Sequence, residues 1–254
     1  MALISAIIPC FNEENNLEAA LDSVSWADEV IVVDSYSTDK SLAIAEAKGA
    51  KIIQRTFDFP AAQKNWAIPQ ARNEWVFLLD ADEVVSPGLK EELLRTVKSN
   101  PKESAFWIPR SNWFMGKLVK QGDWKRDAVI RLIKRDECKY PDIRVHEEIV
   151  SEGVIGRLQN RILHHTYKGL QDYLNKIERY TNWGAHDRIQ RGKRASWFHF
   201  TIKPWWSFTR AYFLRLGFLD GRVGFILAFL AAYTAFIRSV KMWRLQNGEA
   251  ISED

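Results

Sequence analysis

Cysteine is scarce in this 254-residue chain: only Cys10 and Cys138 occur, far apart in sequence. That argues against a disulfide framework and fits a reducing compartment. Five histidines and two cysteines show no metal-type spacing, which argues against structural zinc. There is no long polar or low-complexity tract and no internal repeat, so a folded chain is expected rather than a disordered one. The start, "MALISAIIPCFNEE", has no basic leader and meets acidic residues at once, which predicts a strand rather than a signal peptide. From Val223 to Ile237, 15 residues carry no charge. That run falls short of the roughly 20 residues usually needed to span a bilayer.

Acidic residues are nearly absent from one segment. Residues 188–244 hold 11 Lys/Arg and a single acid, Asp220, a net +10, whereas residues 1–187 carry −3 and the last ten residues −3. A near-neutral body with a basic C-terminal part speaks about partners, not fold. The length of 254 residues suffices for one large domain or a domain with an appendage, and the 46% hydrophobic content for a substantial core.

What is present first is alternation. "LISAIIP", "EVIVVD", "KIIQR" and "EWVFLL" read as strands; "NLEAALDSV", "SLAIAEAKGA", "PAAQKNWAIPQA" and "PGLKEELLRTVKS" read as helices between and after them. Gly49 is placed to stop the second helix, Pro69 to end the third, and Ser86 with Pro87 to start the fourth. Strands apolar on both faces and separated by helices predict a parallel α/β sheet with right-handed crossovers. "SAFWIPRSNWF", "DAVIRLIKR" and "NRILHHTY" add strands of a mixed or antiparallel extension, and "LQDYLNKIERYTNWGAHDRI" a helix.

Ligands of such sheets bind beyond the carboxyl ends of the strands. Asn12, Glu13, Asp34, Asp80 and Asp82 each follow a strand and share that rim. "WVFLLDADEVV" poses the problem most sharply, because a buried strand ends in three carboxylates within four positions. Ionised carboxylates are not buried unpaired, so either water or something positive meets them. A D-x-D pair suits Mg²⁺ or Mn²⁺ bridging to a diphosphate. A phosphatase nucleophile or a Ca²⁺ loop is the alternative, although the EF-hand spacing is absent.

The ordered series "IIPCFNEENNL", "VIVVDSYSTDKS", "AAQKNWAI" and "LLDADE" resembles the family 2 glycosyltransferases, inverting enzymes of the GT-A nucleotide-diphosphosugar fold. The resemblance covers about residues 3–150. Ser35 and Tyr36 depart from the commoner "DDGSTD" motif. By resemblance, Pro9, Asn12 and Glu13 lie near the nucleotide, Asp34 contacts the uracil, and Lys64 sits beside base and phosphates. Asp80 approaches the ribose and Asp82 binds the metal, Mg²⁺ or Mn²⁺. Inverting transfer needs a general base opposite the leaving UDP. "VHE" resembles a motif of the lipopolysaccharide core β-1,4-glucosyltransferase group, which makes Glu147 the expected base and His146 either a group supporting the site from behind or a metal-side group. Of the adjacent His164 and His165, alternation lets at most one complete a metal site. Trp113 and Trp124 are acceptor-pocket candidates as stacking surfaces, with core packing an equal alternative.

The aromatic, basic tail is expected at a membrane interface. Trp205, Trp206, Phe208, Phe213 and Phe225 would enter the headgroup boundary, and Lys203, Arg210, Arg215 and Arg222 would meet anionic lipid. A helix hairpin packed on the catalytic domain or a second copy explains the apolar content but not the charge. No nucleic-acid motif is present.

The expected architecture is therefore α/β: a GT-A catalytic domain over 1–195, with a nucleotide-sugar half to about residue 100 and an acceptor half over about 101–195. A helical, membrane-associating extension follows over 196–254. The expected partners are a UDP-sugar donor, UDP-glucose by the resemblance, a lipid-linked inner-core heptose acceptor, and the cytoplasmic face of the inner membrane. A homo-oligomer is compatible with the sequence. A polyprenyl-phosphate glycosyltransferase and a non-catalytic sugar-nucleotide-binding protein are the rivals.

Overall fold

The computed structural model describes residues 3–141, 148–165 and 169–251. The chain divides into two compact units, one of residues 1–111 and 127–165, the other of residues 112–126 and 166–254.

The first unit begins with the expected alternation: β1 (Ile4–Cys10), α1 (Leu17–Ser23), β2 (Glu29–Asp34), α2 (Ser41–Ala47), β3 (Lys51–Gln54), α3 (Pro60–Ala67), β4 (Trp75–Leu78), β5 (Glu83–Val85) and α4 (Pro87–Lys98). β6 (Ala105–Phe114) runs on into the second unit, where β7 (Lys117–Leu118) closes a hairpin on it. The first unit resumes with β8 (Ala128–Lys134), β9 (Cys138–Lys139), β10 (Val150–Ser151), β11 (Ile155–Arg157) and β12 (Ile162–His164). The main sheet has the order β3-β2-β1-β4-β8-β6-β12-β5. β3, β2, β1 and β4 pair in parallel, and from β4 outward β8 and β6 pair antiparallel.

Burial follows the two-residue period of a strand. Ile4, Ala6 and Ile8 of β1 join Trp75, Phe77 and Leu79 in one core with Leu17, Leu21, Leu89 and Leu93 from α1 and α4. Ile7, Val76 and Leu78 face the other core, with Ala61 and Ala67 of α3. Both sheet faces are thus covered, the condition for a parallel sheet. The punctuation works as expected. Gly49 takes φ +70 after α2, Pro69 turns α3 into a tighter turn, and Ser86 Oγ accepts from Leu89 N–H at 3.3 Å. Cys10 and Cys138 are buried and free.

In the second unit, α5 (Leu170–Gln190), α6 (Trp197–Phe200), α7 (Ile202–Thr209) and α8 (Gly221–Gln246) pack with the β6–β7 hairpin. Phe114, Val119, Ile177, Val223 and Leu230 form its core. Gly217 and Gly224 let the turn before α8 fold onto it, since a Cβ at Gly224 would lie 1.8 Å from the Gly217 carbonyl oxygen. Residues 217–246 form the one helical stretch among the described residues long and apolar enough to cross a membrane, by length and composition alone. It outruns the 15-residue uncharged stretch because Arg222 and Arg238 lie within the helix. Two of the cations expected to face lipid are otherwise engaged: Arg210 pairs with Asp123 at 3.0 Å, and Arg215 contacts the same carboxylate. Phe208 stacks on Tyr212 at 5.4 Å within an aromatic cluster.

Candidate active site

The strand order reverses between β1 and β4, and the loops leaving β1, β2 and β4 build one rim. Pro9 lies within β1 opposite Val33. Asn12 leaves β1 with φ +54, a left-handed conformation that Asn tolerates. Its side-chain oxygen accepts from Thr38 N–H at 2.8 Å, and its own N–H donates to Ser37 Oγ at 3.0 Å. Glu13 N–H donates to Ser41 Oγ at 2.9 Å, while its carboxylate accepts from Asn16 at 2.7 Å. The first two motif loops are therefore one hydrogen-bonded layer.

Asp34 is buried at the end of β2. Its carboxylate accepts from Ser37 N–H at 3.2 Å and from Gln54 Nε2 at 3.0 Å. Gln63 of α3 donates to Ser35 Oγ at 2.6 Å, fixing this loop to the helix that carries Lys64. Tyr36 takes φ +62 with its side chain exposed, at the position where the commoner motif has glycine. A left-handed residue with a Cβ costs about 1–2 kcal/mol, and a β-branched one suffers most. Tyr36→Val is expected to unfold in urea with about 1 kcal/mol less stability than Tyr36→Gly. Equal stability of the two would show that the loop adopts another conformation.

The carboxylates after β4 have positive partners. Arg131 of β8, 3% exposed, contacts the Asp80 carboxylate and lies 3.2 Å from Glu83 Oε1. Lys64 Nζ is 3.5 Å from Asp80 Oδ1 and sits over the Tyr140 ring at 5.4 Å. Glu83, fully buried, also accepts from Arg110 Nη1 at 3.2 Å and from Asp80 N–H at 3.0 Å. Arg110 in turn grips Asp127 with two bonds of 2.9 Å. Three cations and three carboxylates alternate, so the buried charges are paired, and only Arg131 Nε in this network is buried without a hydrogen-bond partner among the described residues. Burial alone would raise the Asp80 carboxyl, but Arg131 and then Lys64 hold it well below the usual carboxylate range.

Asp82 is set apart from this network. Antiparallel pairing of β5 with β12, with His164 opposite Glu83, brings His164 Nε2 to 3.3 Å from Asp82 Oδ2. His165 N–H donates to the Asp82 carbonyl at 3.0 Å, and its side chain is exposed. One histidine of the pair reaches the rim, as alternation requires. Among the described residues no group of three or more His, Cys, Asp or Glu side chains converges. The Asp82–His164 pair supplies an oxygen and a nitrogen donor, a set that fits a divalent cation completing its shell with diphosphate oxygens.

His146 and Glu147 lie outside the described residues. Trp113 and Trp124 belong to the second unit, where Trp124 meets Phe114 edge-on at 5.7 Å and Tyr173 at 6.2 Å. Arg131, Arg110 and the structural part of Glu83 were not singled out from sequence. Arg131 did leave a signal, since it interrupts the apolar run "AVIRLI" and an arginine is almost never fully buried unless paired.

A family model described as glycosyl transferase family 2 matches residues 5–144. The chain is 27% identical to the lipopolysaccharide core biosynthesis glycosyltransferase LpsC of Rhizobium meliloti, over 95% of this chain and 92% of that protein. It is 29% identical to an uncharacterized glycosyltransferase of Rickettsia conorii, over 94% of this chain and 89% of that one. Among solved structures, residues 1–349 of Staphylococcus aureus TarS in complex with UDP-GlcNAc superimpose with a TM-score of 0.54. That likeness, at 17% identity, covers 99% of this chain and 93% of the other and is one of fold. With the family model spanning more than half of its length, the chain belongs to glycosyl transferase family 2, and it is an inverting glycosyltransferase of the GT-A fold.

Proposed function

We propose that this enzyme transfers glucose from UDP-glucose to a heptose of a lipid-linked lipopolysaccharide inner core, at the cytoplasmic face of the inner membrane. The observation that carries the donor half is the division of labour among the rim carboxylates. Asp80 is held ionised by Arg131 and Lys64, while Asp82 is left to His164. In this reading Asp34 takes the uracil, with Pro9, Asn12 and Glu13 around the nucleotide. Asp80 accepts from the ribose hydroxyls, and Lys64 sits beside base and phosphates. Asp82 with His164 would hold Mg²⁺ or Mn²⁺, with His146 as a further candidate. When bound, such an ion neutralises charge on the departing diphosphate. The acceptor hydroxyl attacks the anomeric carbon from the side opposite UDP, Glu147 takes its proton, and the bond from the anomeric carbon to the diphosphate oxygen breaks with inversion. Trp113 and Trp124 are assigned to the acceptor side. The acceptor half is supported by similarity to LpsC along nearly the whole chain. The +10 segment supports a peripheral membrane contact.

Thermal shifts with UDP, UDP-glucose, UDP-galactose, GDP-mannose and CMP, each with and without Mn²⁺ or Mg²⁺, test the donor. Ligand at a hundredfold excess over its dissociation constant is expected to stabilise by about 2.7 kcal/mol. The UDP compounds should give this shift only with the metal, and Asp82→Ala should abolish it. A shift with GDP-mannose and none with UDP compounds would overturn the donor assignment.

A further inference from the structure

The C-terminal unit gathers cations that have no ion-pair partner among the described residues. α6 meets α8 through Phe200 and Phe236, whose rings stand edge-on at 6.3 Å. Nearby on α8, Arg238 lies against α5 at Gly184, where a Cβ would come within 3.1 Å of its Nε. Arg188 is one helical turn along α5 from Gly184, and His199 is four residues before Lys203. These side chains feel one another. Burial pushes the Lys203 amine down to about 8, with Arg188, Arg238 and Lys193 adding to the effect. Burial, then Lys203 and Arg188, also lower His199.

Three acids of the same unit are engaged elsewhere. Glu178 pairs with Lys241 at 2.7 Å, Asp187 with Arg191 at 3.9 Å, and Asp123 with Arg210 and Arg215. No ion pair among the described residues involves Arg188, Lys203 or Arg238, and Arg238 Nε is buried without a hydrogen-bond partner. Like charges gathered this way destabilise the compact state, and guanidinium groups match the geometry of phosphate oxygens. The same short helices expose large apolar side chains: Trp197 is 82% exposed, Trp205 65% and Trp206 50%, with Phe198 and Ile202 beside them. Phosphate and apolar depth occur together at the surface of an anionic bilayer. A second copy of this chain would bring the same positive charge to the contact.

We propose that Arg188, Lys203 and Arg238 form a binding site for the phosphate of an anionic lipid headgroup, with Trp197, Trp205 and Trp206 seated in the same bilayer surface. This rests on the peripheral membrane contact proposed above and names the residues that make it.

The test is flotation of the full chain with phosphatidylcholine vesicles, with and without phosphatidylglycerol. Wild type is expected to float with the anionic vesicles far more than with the neutral ones. Arg188→Gln and Lys203→Gln should each weaken that binding roughly fivefold, with an unchanged or raised unfolding temperature because a repulsion has been removed. Trp205→Ser should weaken what binding remains to neutral vesicles. Inorganic phosphate, at ionic strength matched with chloride, should leave vesicle binding unchanged. Displacement by phosphate would make this a site for a small free anion and overturn the headgroup assignment. Undiminished flotation of both charge variants would overturn the site while leaving the membrane contact standing. Failure of wild type to float with either vesicle would overturn both. A dimer in sedimentation equilibrium that Arg238→Gln dissolves would assign the surface to a second copy instead.

Discussion

Asp82→Asn is expected to lower kcat by about 10³, corresponding to several kcal/mol of lost charge stabilisation on the leaving diphosphate. The substitution keeps the shape of the side chain and removes its charge. The fold should tolerate it, because the Asp82 carboxylate is 26% exposed and its side-chain partner at the rim is His164 at 3.3 Å. The backbone bond from His165 N–H to the Asp82 carbonyl does not involve the carboxylate. The unfolding temperature should therefore stay close to that of wild type, as for most substitutions away from a buried network. UDP release in a coupled assay measures the loss, and calorimetry with UDP and Mn²⁺ locates it in donor binding or in turnover. His164→Gln should fall in the same direction. Wild-type turnover by Asp82→Asn would remove this carboxylate from the reaction.

The second large effect is on stability. Arg131→Met is expected to cost about 3–5 kcal/mol, the penalty for removing one partner of a buried ion pair. Methionine fills much of the volume, but Glu83 is fully buried and would keep Arg110 as its one cationic partner among the described residues, beside the Asp80 N–H. Asp80 would keep only Lys64 at 3.5 Å. The pH dependence has a definite sign. Arg131 and Lys64 overcome burial and depress the folded-state Asp80 carboxyl. Its contribution to stability is therefore present above the unfolded carboxylate value and is lost as pH falls through the depressed one. In Arg131→Met much of that contribution is already gone. The gap to wild type should narrow as pH drops below about 4, where carboxylates protonate in the unfolded chain. Urea unfolding at neutral and acid pH measures both. Adding Glu83→Gln to Arg131→Met should cost less than the sum of the two single changes, because the orphaned charge is then removed. Strict additivity would show that the pair is not coupled.

Much of the first unit was legible because its signals are local. Both-face burial in β1 and β4, the 3.6-residue period of α4, the stops at Gly49 and Pro69 and the start at Ser86 all act within a few residues. Placing Asn12, Asp34, Asp80 and Asp82 on one rim needed only the rule that loops leave a parallel sheet at its carboxyl edge. Tyr36 shows where local reading ended. Its left-handed φ belongs to a loop held by the partners of Asn12 and Asp34, and a tyrosine gives no hint of that conformation.

The partners of the carboxylates were decided by strand order. Arg131 reaches Asp80 because β8 lies antiparallel beside β4, and His164 reaches Asp82 because β12 lies antiparallel against β5. In sequence these pairs are 51 and 82 residues apart, a separation that no periodicity records. The sequence by itself determined that three carboxylates at a strand end required either water or positive company, since burial of unpaired charge is prohibitive. Which cations supplied it, and which carboxylate remained outside the buried network, was settled only when sheet pairing brought distant strands within hydrogen-bond reach.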